Sequence, residues 1–159
     1  MANAVKPIPD GYRSVSPSLT VRDAAAAIEF YKKAFGAVEI VRMPGPGGKI
    51  MHAEIRIGDS VVFVNDEWPG MAVAPSMSGL PSSYLFLYVP EVDLTFAQAV
   101  DGGATVNMAV ENQFWGDRYG KLTDPFGHHW GIATHVEDVS MEEMERRQAK
   151  FMAKAAGQS

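Results

Sequence analysis

The chain has 159 residues, of which 47% are hydrophobic and 21% are charged. This length and composition are typical of one globular unit with a sizeable core, and they exclude disorder over most of the chain. The 19 acidic and 14 basic residues give a formal charge of −5, which disfavours nucleic acid as a partner. Because the sequence has no cysteine, any chemistry is left to histidine, carboxylate and hydroxyl groups.

The sequence also lacks a membrane-targeting pattern. No stretch approaches the ~20 consecutive apolar residues that a membrane span requires. The first residues do not contain the apolar core of a signal peptide. We therefore expect a cytoplasmic protein with no membrane partner.

The first half of the chain has the pattern of a β-α-β-β-β unit. Alternation of apolar and hydroxyl residues predicts a strand over Ser14–Val21. Asp23 stands at the N-cap position of an Ala-rich helix, and Gly36 marks the end of that helix. Three further strands, separated by turn residues, are predicted at Val38–Arg42, Ile50–Ile57 and Ser60–Asn65.

The second half repeats this unit after a connection rich in Pro, Gly and Ser. It predicts a strand at Tyr84–Val89 and a helix capped by Asp93. The remaining predicted strands are Thr105–Val110, Gly120–Thr123 and His129–Thr134. We expect an α+β fold in which two paired β-α-β-β-β modules form curved, antiparallel-rich sheets with a concave cavity. The single predicted domain comprises module one at about 12–66, a linker at 67–82 and module two at about 83–135.

A third helix is predicted at the end of the chain, over about 140–156. Ser140 and Glu143 have the spacing of a capping box. The apolar residues that follow form one stripe, which needs a surface to cover. Docking on the sheet of its own chain and packing across a dimer are both open interpretations.

Several segments carry a family resemblance. They are Leu19–Tyr31 with the closing Phe35–Ala37, Met51–Asp59, and Trp115–Gly120 with Asp124–His128. Together with the paired modules, they resemble the glyoxalase/bleomycin-resistance superfamily, also called vicinal oxygen chelate proteins, and within it the PhnB-like branch. The resemblance implies the fold described above. It also implies a homodimer, since paired modules of this superfamily usually complete their cavities across a two-fold axis.

Metal-dependent members of that superfamily carry His, Glu or Gln at four strand positions. Alignment places these positions at Ser16, Phe63, Ser83 and Gly131. Hydroxyl groups, a phenyl ring and a glycine are not a ligand set for a divalent metal, so we expect neither a metal nor another cofactor. A register shift of one or two residues would instead bring in Asn65 or His129.

Strand alternation indicates where chemistry would occur. In Ile50–Ile57, His52 and Glu54 fall on the face opposite the apolar residues. A carboxylate beside an imidazole forms an acid–base pair, which makes these two residues the catalytic candidates. The alternative interpretation is a solvated sheet face whose polar residues have no function.

Aromatic and polar residues from both modules complete the predicted site. Trp115 and Tyr119 flank a glycine-containing turn, and Arg118 supplies a planar cation for an anionic group. The alternative interpretation is a plain hairpin with an Asp117–Arg118 pair. We expect residues of both modules to converge on one pocket. The predicted ligand-binding residues are Ser16, Phe63, Asn65, Trp115, Arg118, Tyr119 and His129.

Three functions are compatible with this pattern. The first is a metal-independent protein that binds a small molecule, as the drug-sequestering members of the superfamily do. The second is an isomerase or lyase that acts on a small polar carbonyl compound through His52 and Glu54. The third is an interaction module that acts through the methionine-bearing C-terminal helix.

Overall fold

Each half of the chain forms one four-stranded sheet and one helix in the computed structural model, which describes residues 5–157. The first module consists of β1 (Ser18–Val21), α1 (Ala24–Phe35), β2 (Val38–Pro44), β3 (Ile50–Ile57) and β4 (Ser60–Asp66). The second consists of β5 (Leu85–Tyr88), α2 (Val92–Asp101), β6 (Thr105–Asn112), β7 (Asp117–Thr123) and β8 (His129–His135). Helix α3 (Met141–Ala156) follows them, and Pro46–Gly48 forms a short 3-10 turn after β2.

The two sheets have the same topology. Their strand orders are β1-β4-β3-β2 and β5-β8-β7-β6. In each sheet the first strand pairs in parallel with the last, and the other neighbours are antiparallel. The predicted α+β fold of paired β-α-β-β-β modules with a C-terminal helix is therefore confirmed.

Several element boundaries differ from the prediction, among them the starts of β1, α2 and β7. Strand β1 begins at Ser18 and not at Ser14, since Pro17 has no amide hydrogen to donate to the ladder. The residues before Pro17 instead line the open face of the first sheet. In the second module, Asp93 is not the cap of α2 but lies in its first turn. The hydroxyl of Thr134 accepts the hydrogen bond from the first amide of α2, at 2.8 Å.

One apolar core joins the two modules. Helices α1 and α2 pack against each other, and the rings of Tyr31 and Phe35 lie 5.6 and 4.7 Å from that of Trp130 in β8. Asp124, which is 1% exposed, accepts hydrogen bonds from the Tyr31 hydroxyl at 2.6 Å and the Trp130 indole at 2.9 Å. Burial, and then the charge of Asp124, hold the pKa of Tyr31 well above its ordinary value. A polar link thus lies inside the apolar contact between modules.

Helix α3 rests on the second module through few contacts. The Ser140 hydroxyl accepts a hydrogen bond from the amide of Glu143, as the capping box predicts. The ring of Phe151 lies 5.3 Å from that of Phe114, and Arg147 pairs with Glu137 at 2.7 Å. None of the residues of α3 is buried, so its apolar stripe is only partly covered. Within residues 5–157, no helix is long and apolar enough to cross a membrane.

Candidate functional site

The first sheet is covered by a helix on one face and holds an open hollow on the other. Alternation in β3 buries Ala53 and Ile55 and turns His52 and Glu54 to the open side, as predicted. The N-terminal segment runs along this hollow, whose volume is about 580 Å³. We call it the first-module cup; it is lined by Pro9, Tyr12, Arg13, Ser14, Ser16, Glu54 and Phe63.

The carboxylate of Glu54 is the most strongly bonded polar group of the cup. One oxygen accepts a hydrogen bond from the Tyr12 hydroxyl, and the other lies 2.9 Å from Nε2 of His52. The hydrogen bonds from His52 and then from Tyr12 lower the pKa of Glu54, so the carboxylate stays ionised at neutral pH. A carboxylate hydrogen-bonded to an imidazole fixes the orientation of the ring.

The ring of His52 borders the cup through its contacts with Glu54 and Phe63. Its side chain is 36% exposed, whereas that of Glu54 is 15% exposed. The edge of the imidazole meets the ring of Phe63 at a centroid distance of 5.1 Å. A bound molecule therefore meets an apolar ring and a titratable nitrogen side by side.

The exposed face of the second sheet is aromatic. The rings of Phe86 and Tyr119 are stacked with centroids 5.2 Å apart, and Trp115 meets Tyr119 at 5.8 Å. The buried carboxylate of Asp117 lies at one end, where it accepts a hydrogen bond from the indole of Trp115 at 3.0 Å. We call this surface the aromatic face.

Asp117 organises the polar groups of the aromatic face. Besides Trp115, its carboxylate binds the hydroxyl of Tyr88 at 2.8 Å and Nδ1 of His135 at 2.9 Å. Burial alone would raise the pKa of Asp117, but the three hydrogen bonds outweigh burial and lower it. The other ring nitrogen of His135 lies 2.8 Å from Asp138, and the two carboxylates raise the pKa of the imidazole.

Arg118 does not join the aromatic residues that flank it in sequence. Strand β7 begins at Asp117, so Arg118 and Tyr119 point to opposite faces of the sheet. The guanidinium binds both carboxylate oxygens of Asp93 at 2.7 and 2.8 Å, on the side of α2. The predicted convergence of Arg118 with the other site residues is therefore not observed.

The other predicted residues are divided among separate places. His52, Glu54, Ser16 and Phe63 belong to the first-module cup, whereas Trp115 and Tyr119 belong to the aromatic face. Asn65 donates to the hydroxyl of Thr20 at 3.2 Å on the neighbouring strand β1. His129 lines a further cavity beneath the linker between the modules.

The residues at the four metal-ligand positions of the family do not form a metal site in this protein. A Cβ atom at Gly131 would lie 2.7 Å from a ring carbon of Tyr119 and 2.8 Å from its hydroxyl, so the tyrosine occupies the space of a ligating side chain. Phe63 presents a ring, and Ser16 and Ser83 present only hydroxyls. Across residues 5–157, no three or more His, Asp or Glu side chains are grouped so that they could hold a metal ion.

Tyr12 is the main member of the site that sequence reasoning missed. It lies before the first predicted strand, in a segment without periodicity. Its contact with Glu54 spans 42 positions and depends on the path of the N-terminal segment. The only signal in the sequence is an aromatic residue between Gly11 and Arg13, which is too common to indicate a site.

Comparisons with known proteins agree with this architecture. A family model for the Glyoxalase/Bleomycin resistance protein/Dioxygenase superfamily matches residues 13–132. The uncharacterised protein Rv0887c of Mycobacterium tuberculosis is 47% identical over 136 residues, covering 83% of this chain and 80% of that protein. The uncharacterised Arabidopsis thaliana protein At5g48480 is 31% identical over 128 residues, covering 75% of this chain and 76% of that one.

Solved structures show the same fold. The crystal structure of TioX from Micromonospora sp. ML1 has a TM-score of 0.61 at 24% identity and covers 77% of this chain and 100% of that one. The structure of the Arabidopsis At5g48480 product has a TM-score of 0.59 at 29% identity, with coverage of 77% and 98%. On its sequence match and its paired modules, the chain belongs to the glyoxalase/bleomycin resistance protein/dioxygenase superfamily.

Proposed function

We propose that the protein binds a small organic molecule in the first-module cup without the metal centre of its metal-dependent relatives. The observation that carries this proposal is the Glu54 carboxylate, held by Tyr12 and His52 in an open hollow of about 580 Å³. That volume lies in the range of small-molecule sites, roughly 300–1,000 Å³. Superfamily membership supports a small-molecule ligand.

The lining of the cup indicates the chemistry of this ligand. The ring of Phe63 offers a flat apolar contact, and the neighbouring imidazole of His52 offers a hydrogen bond. The wall formed by the N-terminal segment adds the cation of Arg13 and the hydroxyl of Ser16. A molecule with an apolar ring or chain and an oxygen-bearing polar end matches these groups.

A second candidate function is an isomerase or lyase that acts on a small polar carbonyl compound. The observation that favours it is the 2.9 Å contact between Nε2 of His52 and Glu54. In this reaction His52 removes a proton from the carbon beside the carbonyl group, and Glu54 stabilises the resulting imidazolium. Arg13 would counter the negative charge that develops on the carbonyl oxygen, because Arg118 is bound to Asp93.

A thermal-shift screen of small organic molecules, including carbonyl compounds, tests the proposal. A true ligand raises the unfolding temperature because it binds only the native state. We expect the same shift in the presence of EDTA and of added zinc. A shift that disappears with EDTA would show that a metal takes part and would contradict the proposal.

His52→Ala is expected to weaken the affinity for such a ligand by up to about tenfold, the effect of losing one hydrogen bond. The half-exposed ring makes few core contacts, so we expect the free energy of unfolding to fall by less than about 1 kcal/mol. Arg56→Ala is the matched control, because Arg56 is exposed further along the same face of β3. If both variants bind as the wild type does, the cup is not the site.

We also propose that the protein is a cytoplasmic homodimer. The support is the superfamily, in which two-fold assemblies are usual, and the partly uncovered apolar stripe of α3, where Phe151 and Met152 are more than half exposed. Sedimentation equilibrium at micromolar concentration tests the assembly, and a monomer would contradict it.

A further inference from the structure

A second cavity lies between the two modules, beneath residues 76–83 of the linker. It has a larger chamber of about 420 Å³ and a smaller one of about 180 Å³. The two chambers are adjacent, since both are lined by Gly79, Leu80, Pro81 and His129. None of the residues that line them belongs to the first-module cup, so this cavity is independent of the proposed function.

The linker that roofs the cavity is anchored at its start. The carboxylate of Glu67 accepts a hydrogen bond from the amide of Ala74 at 2.8 Å, and Arg22 donates to the carbonyl of Pro75 at 3.0 Å. Gly127 lets the linker approach β8, because a Cβ atom there would lie 3.1 Å from Pro75. The linker is therefore held just before the roof, at Ala74 and Pro75.

The larger chamber is rich in hydroxyl groups and imidazoles. His128 binds the carbonyl of Thr20 at 2.9 Å, and His129 binds the hydroxyl of Thr123 at 3.2 Å. The hydroxyl-bearing residues of this chamber are Ser18, Thr20, Ser76, Ser78, Ser82 and Ser83. Hydroxyls both donate and accept, so they suit the oxygens of a polar group.

The smaller chamber is mainly apolar and contains one cation. Leu80, Pro81 and the ring of Tyr84 supply its accessible apolar surface, since Leu122 and Trp130 are buried in the core behind it. The ammonium group of Lys121 stands 5.0 Å from the ring centroid of Tyr84. In the register of β7 and β8, Lys121 is the diagonal neighbour of His129 on the same face, so both groups can reach one ligand.

The charge of this cavity is opposite to that of the chain. The formal charge of the protein is −5, yet neither chamber is lined by Asp or Glu within the described residues. Lys121 carries the formal positive charge among the lining residues, and it points to an anion as the ligand. The apolar wall beside Lys121 selects a ligand that also carries a ring or a short hydrocarbon part.

We propose that this cavity binds a small amphipathic anion, with its apolar part against Leu80 and the ring of Tyr84 and its acidic group held by Lys121 beside the hydroxyl-lined chamber. Carboxylates and sulfonates on an aromatic ring share this chemistry.

Fluorescence titration with two related dyes tests the site. The probes are 1-anilinonaphthalene-8-sulfonate, an aromatic anion, and N-phenyl-1-naphthylamine, which has the same rings without the charge. We expect Lys121→Met to weaken binding of the sulfonate by about tenfold, since it removes one charge-assisted contact and keeps the chain length. Binding of the neutral dye should stay within about twofold.

Matched variants separate the local contact from net charge and from misfolding. Lys150→Met removes a charge from an exposed position of α3 and should leave the affinity for the sulfonate unchanged. Lys121→Arg keeps the charge and should retain most of that affinity. If Lys121→Met binds the sulfonate as tightly as the wild type, or if Lys150→Met loses as much affinity, the cavity is not an anion site and the proposal is overturned.

Discussion

Asp124→Ala is expected to lower the free energy of unfolding by about 3–5 kcal/mol, the range for removing one partner from a buried charged network. The carboxylate is 1% exposed and serves four donors. Besides Tyr31 and Trp130, it accepts from the amides of Phe126 and His128 at 2.9 and 3.0 Å. Alanine would leave all of these groups buried without an acceptor. Urea denaturation followed by tryptophan fluorescence measures the loss.

Two further variants show whether the network is responsible. Asp124→Asn keeps one acceptor oxygen and nearly the same volume, so it should cost clearly less than alanine. Asp138→Ala removes a fully exposed carboxylate near the same end of the chain and should change stability by less than about 0.5 kcal/mol. An Asp124→Ala loss below about 1 kcal/mol would show that the link between modules contributes little.

Gly116→Ala is expected to be the second most damaging substitution, with a loss of about 3 kcal/mol or more from combined backbone strain and overpacking. Gly116 has a φ of +102°, which favours glycine. An added Cβ atom would also collide with the carbonyl oxygen of Glu137, which belongs to a backbone that is bonded back to Gly116. Thermal denaturation would detect the loss as a fall in the unfolding temperature.

Gly103→Ala is the matched control for this experiment. Gly103 has a similar φ of +106°, but a Cβ atom there would make only an ordinary contact with Pro125 at 3.4 Å. The control should therefore show the strain of the backbone alone, about 1–2 kcal/mol. Equal losses in both variants would contradict the collision at Glu137.

The parts of the fold that repeat with a short period were predictable from the sequence. Strand alternation in β3 correctly placed His52 and Glu54 on the open face, because the apolar residues that alternate with them, Ala53 and Ile55, had to be buried. The helix caps at Asp23 and Ser140 were also correct, since each side chain accepts from the amide three residues ahead. Such signals are local, and therefore visible in one sequence.

The predictions that failed, or were not made, depend on where a strand begins or on contacts between segments that are distant in sequence. The stretch from Trp115 to Gly120 was interpreted as a turn, so Arg118 and Tyr119 were both assigned to the ligand. Because β7 begins at Asp117, the two residues lie on opposite faces. The role of Asp124 was not predicted, since its bond to Tyr31 spans 93 positions. No short-range pattern reveals such a bond.

The core shared by α1 and β8 has a consequence for amide hydrogen exchange. If one module unfolded alone, the aromatic ring of the other, Phe35 or Trp130, would be exposed to water. The two modules therefore open together. A molecule bound in the first-module cup shifts that common opening equilibrium by mass action. The slowest amides of β7 and β8 are then protected by the same factor as those of β3, although the ligand contacts only the first sheet.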